Sequence, residues 1–426
     1  MDRLTNTIRP YAWGSRTALP ALLGTPPTGE PQAELWMGAH PGAPSTVHRG
    51  QGPQTLDTVI GADPEGELGA PVVQRFGPAL PFLLKVLAAG EPLSLQVHPD
   101  LDQARAGFAD EERRGVPIDA PDRNYKDANH KPELICALDD AEGAAFEGLC
   151  GFRAPDATAQ LLESLAVPAL APLAEVLRGK PEEEALREAL TLILTAAPTT
   201  VRSTVADTTA ALERAAAAGP DGLPEEIHSA LASYAALGHA FPDDPGVVAA
   251  LLLNHVRLQP GEALYLGAGI PHAYLSGIGV ELMANSDNVL RCGLTSKHVD
   301  VPELLRIVHF RSTEPGVLRP VPVPGSDGEA LYPTPIDEFR LSRYLLDPGA
   351  HGRRIPTVTP QILLCTEGAT VLTDADGGSL TLRRGESAFI PAHGTRAVQG
   401  SDVTDLLVAG ASGEARSTVF RATVSM

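Results

Sequence analysis

Apolar and polar positions along the chain fall into three textures. Up to residue 153 the apolar runs are short and broken by Gly and Pro: PFLLKVL from Pro81, LSLQVHP from Leu93 and PELICAL from Pro132. Each has the length of a strand and is bounded by turn formers, which predicts short β-strands. From 154 to 250 the spacing turns helical. Leu161, Leu165, Leu170, Leu173 and Leu177 recur at helical intervals, as do Leu186, Leu190 and Ile193, and then Ile227, Leu231 and Tyr234. Asp244-Pro245 ahead of VVAALLL reads as a cap followed by proline in the first helical position, and Gly238 as a helix stop. Four or more helices are expected here. After Asn254 strand texture returns in LQPGEALYLGAGIPHAYL, and it continues to the end of the chain, with a hairpin signal at Asp376-Gly377-Gly378.

The strand texture repeats itself. LQPGEALYLGAGIPHAY from Leu258 lines up with LRRGESAFIPAHGTRAV from Leu382, sharing Gly-Glu at 261–262 and 385–386. His272 in one copy stands against Arg396 in the other. Two related β-modules, one with a potential ligand and one without, is the simplest account. The expected division is a β domain in two parts, 1–153 and 251–320, a helical insert at 154–250, and a C-terminal β module at 321–426.

Composition agrees and adds limits. A chain of 426 residues exceeds one ordinary core of about 150 residues. The 41 glycines and 39 prolines favour many turns between short strands. A formal net charge of −20 repels nucleic acid phosphates and anionic membranes, so neither is expected as a partner. An anionic substrate would need a local positive site. Cys136, Cys150, Cys292 and Cys365 form neither a zinc knuckle nor a disulfide framework, which points to reduced cytoplasm. MDRLTNTIRPYAWG lacks the apolar core of a signal peptide, and no apolar run approaches roughly 18 residues, so no membrane span is expected.

Candidate chemistry starts at Gln96-Val97-His98. Side chains at i and i+2 of a strand share a face, so Gln96 and His98 can point into one cavity, and Ser94 shares their parity. A second piece, Gly261-x5-Gly267-x-Gly269-x2-His272, resembles the second conserved motif of the cupin superfamily, with Gly267 where proline is usual. Cupins supply two His and a Glu from their first motif. Here that motif would be Gln96 and His98, with Glu133 after a long connection.

These departures match one family. ELWMGAHPGAPS from Glu34, PFLLKVL with Lys85, LSLQVHPD from Leu93, NHKPEL from Asn129, GIPHAYL from Gly269 and ELMANSDNVLRCGLTSKH from Glu281 resemble, in order, the signatures of the type I phosphomannose isomerases. The resemblance spans essentially the whole chain, helical insert included. It implies a mainly β fold: two cupin-type, jelly-roll barrels plus an α-helical domain. It implies one zinc ion per chain, held by Gln96, His98, Glu133 and His272, and interconversion of mannose 6-phosphate and fructose 6-phosphate. Two imidazoles, a carboxylate and an amide oxygen suit zinc, and a single anionic ligand leaves the ion a net positive charge.

Aldose–ketose isomerisation moves a proton between C1 and C2, so a base is needed beside the metal. Lys131, two residues before Glu133, and Glu281 are the candidates. Arg291 is, by resemblance, a functional cation of the site. Tyr274, on the face of His272, is a candidate wall or hydroxyl donor. Lys85 and Ser94 resemble positions implicated in phosphate contact. Trp13 and Trp36 read as packing residues. His40, His228, His239, His351 and His393 read as ordinary, and the module carrying Arg396 as metal-free. The expected partner is a small sugar phosphate and the expected state a monomer. Another metal-dependent cupin enzyme, such as an iron-dependent dioxygenase, and a non-catalytic sugar-phosphate binder are the rival readings. Without a glycine-rich nucleotide loop near the N-terminus, a fused nucleotidyltransferase is not expected.

Overall fold

A computed structural model describes residues 1–50, 52–140, 143, 145–218, 224–348, 352–392, 405–411 and 416–426. The Arg396, His393 and His351 readings lie outside them. The predicted strand runs are strands. PFLLKVL gives Phe82–Ala89, LSLQVHP gives Leu95–Val97, and PELICAL gives Glu133–Ala137. In chain order, the strands that matter to the site are β1 (Glu34–Met37), β2 (Phe82–Ala89), β3 (Leu95–Val97), β4 (Glu133–Ala137), β5 (Phe146–Phe152), β6 (Leu253–Leu258), β7 (Ala263–Leu266), β8 (His272–Ala284) and β9 (Leu290–Gly293).

Strand β8 organises them. Its second half is hydrogen-bonded between β2 and β4, with Glu281 opposite Lys85 and Met283 opposite Glu133. Its first half lies between β3 and β5, with His272 opposite Gln96 and Cys150. One strand therefore serves two sheet regions, and it turns from one to the other at Gly277. That residue has φ +109°, and a Cβ there would stand 2.7 Å from the Phe146 Cα, so only glycine fits the corner. Strands β1 and β7 extend one region, β9 and β6 the other.

The helical stretch between β5 and β6 contains Pro155–Ser164, Ala171–Gly179, Glu182–Leu194, Pro198–Ala218, Glu225–Ala240 and Gly246–Ala250. The periodic leucines are its core: Leu161, Leu170, Leu177, Leu186, Leu190 and Leu231 are buried in a cluster shared with Leu95, Val97, Leu149 and Leu290 of the sheet. The insert is thus docked on the strands that carry the candidate site. Gly238 does not stop its helix, which runs on to Ala240. A Cβ at Gly238 would meet Thr209 Oγ1 at 1.8 Å, so this glycine lets two helices approach closely. The last helix starts at Gly246, just after the proline, and the Asp244 carboxylate accepts from the Gly246 and Thr295 amides at 2.7 and 2.8 Å. The cap therefore also ties the insert to the segment after β9.

The C-terminal part is a second sheet system, with strands Arg340–Leu346, Gln361–Glu367, Ser387–Ile390 and Ser417–Thr423 in one sheet. Asp2–Arg3 pairs with its Ser387–Ile390 strand. Tyr332, Phe339, Phe389 and Phe420 share a core with Leu35, Leu84 and Leu282 of the first sheet. The repeat is visible in the turns. The Gln259 amide donates to Glu262 Oε2 at 3.0 Å, and the Arg383 amide donates to Glu386 Oε2 at 2.7 Å. The expected hairpin at 376–378 joins Ala369–Thr373 to Ser379–Arg383. No described helix is long and apolar enough to cross a membrane.

Candidate metal centre and active site

Three acceptor atoms face one another inside the first sheet system. His98 follows β3, Glu133 opens β4 and His272 opens β8, and one ligand atom from each lies within 4.8 Å of the others. His98 and His272 are wholly buried, and Glu133 is 2 % exposed. The Nδ1 of His98 lies 2.8 Å from the Asn288 carbonyl, and that of His272 lies 2.9 Å from the Ile270 carbonyl. A carbonyl only accepts, so both Nδ1 atoms carry the proton and both Nε2 lone pairs point at Glu133, 3.4 Å away in each case.

These two Nε2 atoms and Glu133 Oε2 are buried without a hydrogen-bond donor. Three desolvated acceptors aimed at one point are costly to leave unpaired, and a cation between them removes the cost. Burial pulls the His98 imidazole down to about 4, against the opposing pull of Glu133, so it is neutral at pH 7. Burial alone would raise Glu133, but the Lys131 ammonium, 2.9 Å away, holds its carboxyl well below the ordinary range. Neutral imidazoles and an ionised carboxylate are the states a metal ion needs. The donor set therefore fits zinc. Gln96 sits directly across the strand pair from His272, so the two side chains leave the same face as near neighbours.

The remaining candidates gather round this point. Lys131 Nζ is 2.9 Å from Glu133 Oε1. Tyr274 is buried two residues past His272; burial, and then the Glu281 and Glu133 carboxylates, raise its hydroxyl well above its ordinary value, so it stays protonated. Burial also raises Glu281, and the Lys85 ammonium only partly offsets this. Arg291 lies opposite Gln96 on β9.

Lys85 is paired inside the protein. It is 6 % exposed, with Nζ 3.3 Å from Glu34 Oε1, 3.2 Å from Glu281 Oε2, and 5.1 Å above the Trp36 ring. Burial pulls its ammonium down, but Glu34, Glu281 and Glu133 outweigh burial and hold it above its ordinary value. A phosphate brought to this spot would meet two carboxylates that already neutralise the lysine. Ser94 is half-buried just ahead of β3.

Lys297 and His130 escaped the sequence reading, and His40 read as ordinary, although all three stand inside the quoted motifs. Lys297 and Arg291 are both without a carboxylate partner among the described residues. Burial, and then Arg291 itself, lower the Lys297 ammonium, while burial lowers Arg291. Two neighbouring unpaired cations are conspicuous in so acidic a protein. His40 is 5 % exposed, packs edge-on against Trp36, and places Nε2 3.5 Å from Asp287 Oδ2. His130, next to Lys131, meets Glu338 Oε1 at 2.7 Å and so links the site segment to the C-terminal sheet system. Spacing alone could not find these, because each depends on which distant segment the side chain faces.

Comparison with known proteins gives the same direction. The family model of phosphomannose isomerase type I, catalytic domain, matches residues 1–155. The mannose-6-phosphate isomerase of Salmonella typhimurium is 41 % identical over 394 residues, covering 92 % of this chain and 95 % of that one. The Escherichia coli protein of the same name is 40 % identical over 397 residues, with the same coverage. A crystal structure of mannose 6-phosphate isomerase bound with zinc and yttrium superposes with a TM-score of 0.84 at 37 % identity over the full length of both chains. So does the Salmonella enzyme bound to its substrate, fructose 6-phosphate, and zinc, at the same TM-score and identity. Matching length, shared fold and near-complete coverage leave one assignment: the chain belongs to the type I phosphomannose isomerase family.

Proposed function

We propose that this chain is a zinc-dependent aldose–ketose isomerase interconverting D-mannose 6-phosphate and D-fructose 6-phosphate, working in the cytoplasm as a monomer. The observation that carries the reading is the convergence of His98, Glu133 and His272 as buried acceptors without a donor. With Gln96 as the fourth ligand, these residues would hold one zinc ion. When bound, zinc supplies a Lewis acid that polarises a carbonyl or hydroxyl oxygen of the sugar.

The chain's own side chains do the rest. Glu281, made a stronger base by burial, takes the proton from C2 of the open-chain aldose. The C–H electron pair becomes the C1–C2 double bond of an enediolate, and the carbonyl pair moves to O1. Lys131, beside Glu133, passes the O2 proton to O1. Glu281 then returns its proton to C1, which leaves the ketose with its carbonyl at C2. Tyr274 donates from a hydroxyl that stays protonated. Trp36, beneath Lys85, acts as packing.

The phosphate, in this reading, rests on Arg291 and Lys297, with Ser94 contributing a hydroxyl. Support comes from pairing: Lys85 is neutralised by two carboxylates, whereas Arg291 and Lys297 are not. Lys297→Ala is expected to raise KM for mannose 6-phosphate about tenfold with kcat little changed, the effect of losing ~1.4 kcal/mol of charge-assisted contact. An unchanged KM would place the phosphate elsewhere.

For the architecture, 1–153 with 251–320 and 321–426 are read as two cupin-type barrels around the helical domain 154–250, supported by the shared Gly-Glu turn. The function is tested by supplying mannose 6-phosphate to zinc-loaded protein and following fructose 6-phosphate in a coupled assay. Formation of the ketose is expected. Binding of the sugar phosphate without turnover would make the chain a binding module, and iron content with oxygen uptake would make it a different cupin enzyme.

A further inference from the structure

Asn288 ties together the two segments that carry His98 and Glu133, yet it touches neither substrate nor metal in the reading above. It is wholly buried. Its carbonyl accepts from His98 Nδ1 at 2.8 Å, which fixes the tautomer and aim of that imidazole. Its side-chain oxygen accepts from the amides of Lys126 and Asp127 at 2.6 and 3.2 Å. Its side-chain nitrogen donates to the carbonyls of Asp127 and Asn129, both at 2.8 Å. All amide hydrogen-bonding capacity is thus spent on the loop that runs directly into Lys131 and Glu133. Ser286 reinforces the knot, donating to the Asn129 carbonyl at 3.1 Å.

We propose that Asn288 is a positioning residue for the metal centre, setting the separation of His98 from Glu133 by clamping the 126–129 loop while its own carbonyl holds His98. The proposal rests on the zinc-site reading. The physical reason is that His98 has one free direction, rotation about its ring bonds, and the carbonyl that stops it is only as fixed as the residue bearing it. That residue is fixed by a buried amide whose oxygen accepts from two backbone amides and whose nitrogen donates to two carbonyls and, at 3.3 Å, to Asp127 Oδ1. Partners of ligating histidines commonly tune affinity by ~10–100-fold without being ligands.

The test is zinc affinity, measured by competition with a chromogenic chelator on the full chain. Wild type, Asn288→Ala, Asn288→Asp and a remote control, Asn6→Ala, are compared, with thermal unfolding of each metal-free protein recorded in parallel. Asn6 also bridges segments, through Ser387 and Ser45, but away from the ligands. Asn288→Asp keeps the acceptor but sets an oxygen against the Asp127 and Asn129 carbonyls and the Asp127 carboxylate, so it is the more disruptive change, and Asn288→Ala carries the test if the aspartate variant does not fold. Both Asn288 variants are expected to bind zinc ~10–100-fold more weakly, with Asn6→Ala unchanged. Affinity within twofold of wild type, whatever happens to unfolding, would reduce Asn288 to a structural residue and overturn the proposal. Failure of wild type to bind zinc would instead sink the metal-site reading itself.

Discussion

His272→Ala is expected to leave a folded protein that holds no zinc after dialysis and isomerises mannose 6-phosphate at least ~10³-fold more slowly, the several kcal/mol of charge stabilisation that the metal supplies. The fold should survive because His272 is one of three buried acceptors that face each other. In the metal-free protein its removal takes away an unpaired lone pair at the modest cost of one hydrogen bond, from Nδ1 to the Ile270 carbonyl. Metal-free unfolding midpoints should therefore be close in variant and wild type. The zinc-loaded midpoints should part, since only wild type gains from the ion. Chelation of wild type should reproduce the variant's rate, and restoring zinc should rescue wild type alone. Stoichiometric zinc with near-normal turnover in the variant would remove His272 from the centre.

How much of this was legible along the chain depends on the range of each relation. Parity placed Gln96 and His98 on one face of β3, a relation over two residues. The helical periodicity at 161–177 and 186–193 found the insert's core for the same reason. Glu133 and His272 could be joined to them only through resemblance, because no local rule says that β8 lies between β3 and β5 at one end and between β2 and β4 at the other. Register is the missing quantity: a strand's neighbours fix which charges meet, and sequence does not state them. Lys85 shows the consequence. Its place in an apolar strand was readable, but its two carboxylates come from β1 and β8, 51 residues before it in the one hydrogen-bonded case. Gly238 failed in the same way, as a packing contact with Thr209 that imitates a helix stop.

Lys85→Met should destabilise the folded chain by ~3–5 kcal/mol near pH 8, the usual penalty for removing one partner from a buried ion pair. Methionine fills much of the same volume, so the loss is electrostatic. Glu34 and Glu281 would remain, 6 % and 3 % exposed, without the ammonium that lies between them. The penalty should shrink as pH falls, and the sign follows from Glu281. Burial already holds its carboxyl above the ordinary value even with Lys85 present, and removing the cation raises it further. Between the unfolded value and that raised one, the folded variant binds a proton that the unfolded chain has released. A group raised on folding stabilises most below its unfolded value, and this contribution is lost as pH rises through the folded one. Urea midpoints at pH 8 and pH 5.5 therefore give a larger gap between variant and wild type at pH 8. A lysine devoted to the substrate's phosphate would behave otherwise: KM would rise while stability stayed within about 1 kcal/mol of wild type at both pH values, as for a substitution outside any buried network. That outcome would return the phosphate to Lys85 and leave the Arg291–Lys297 pair without a role.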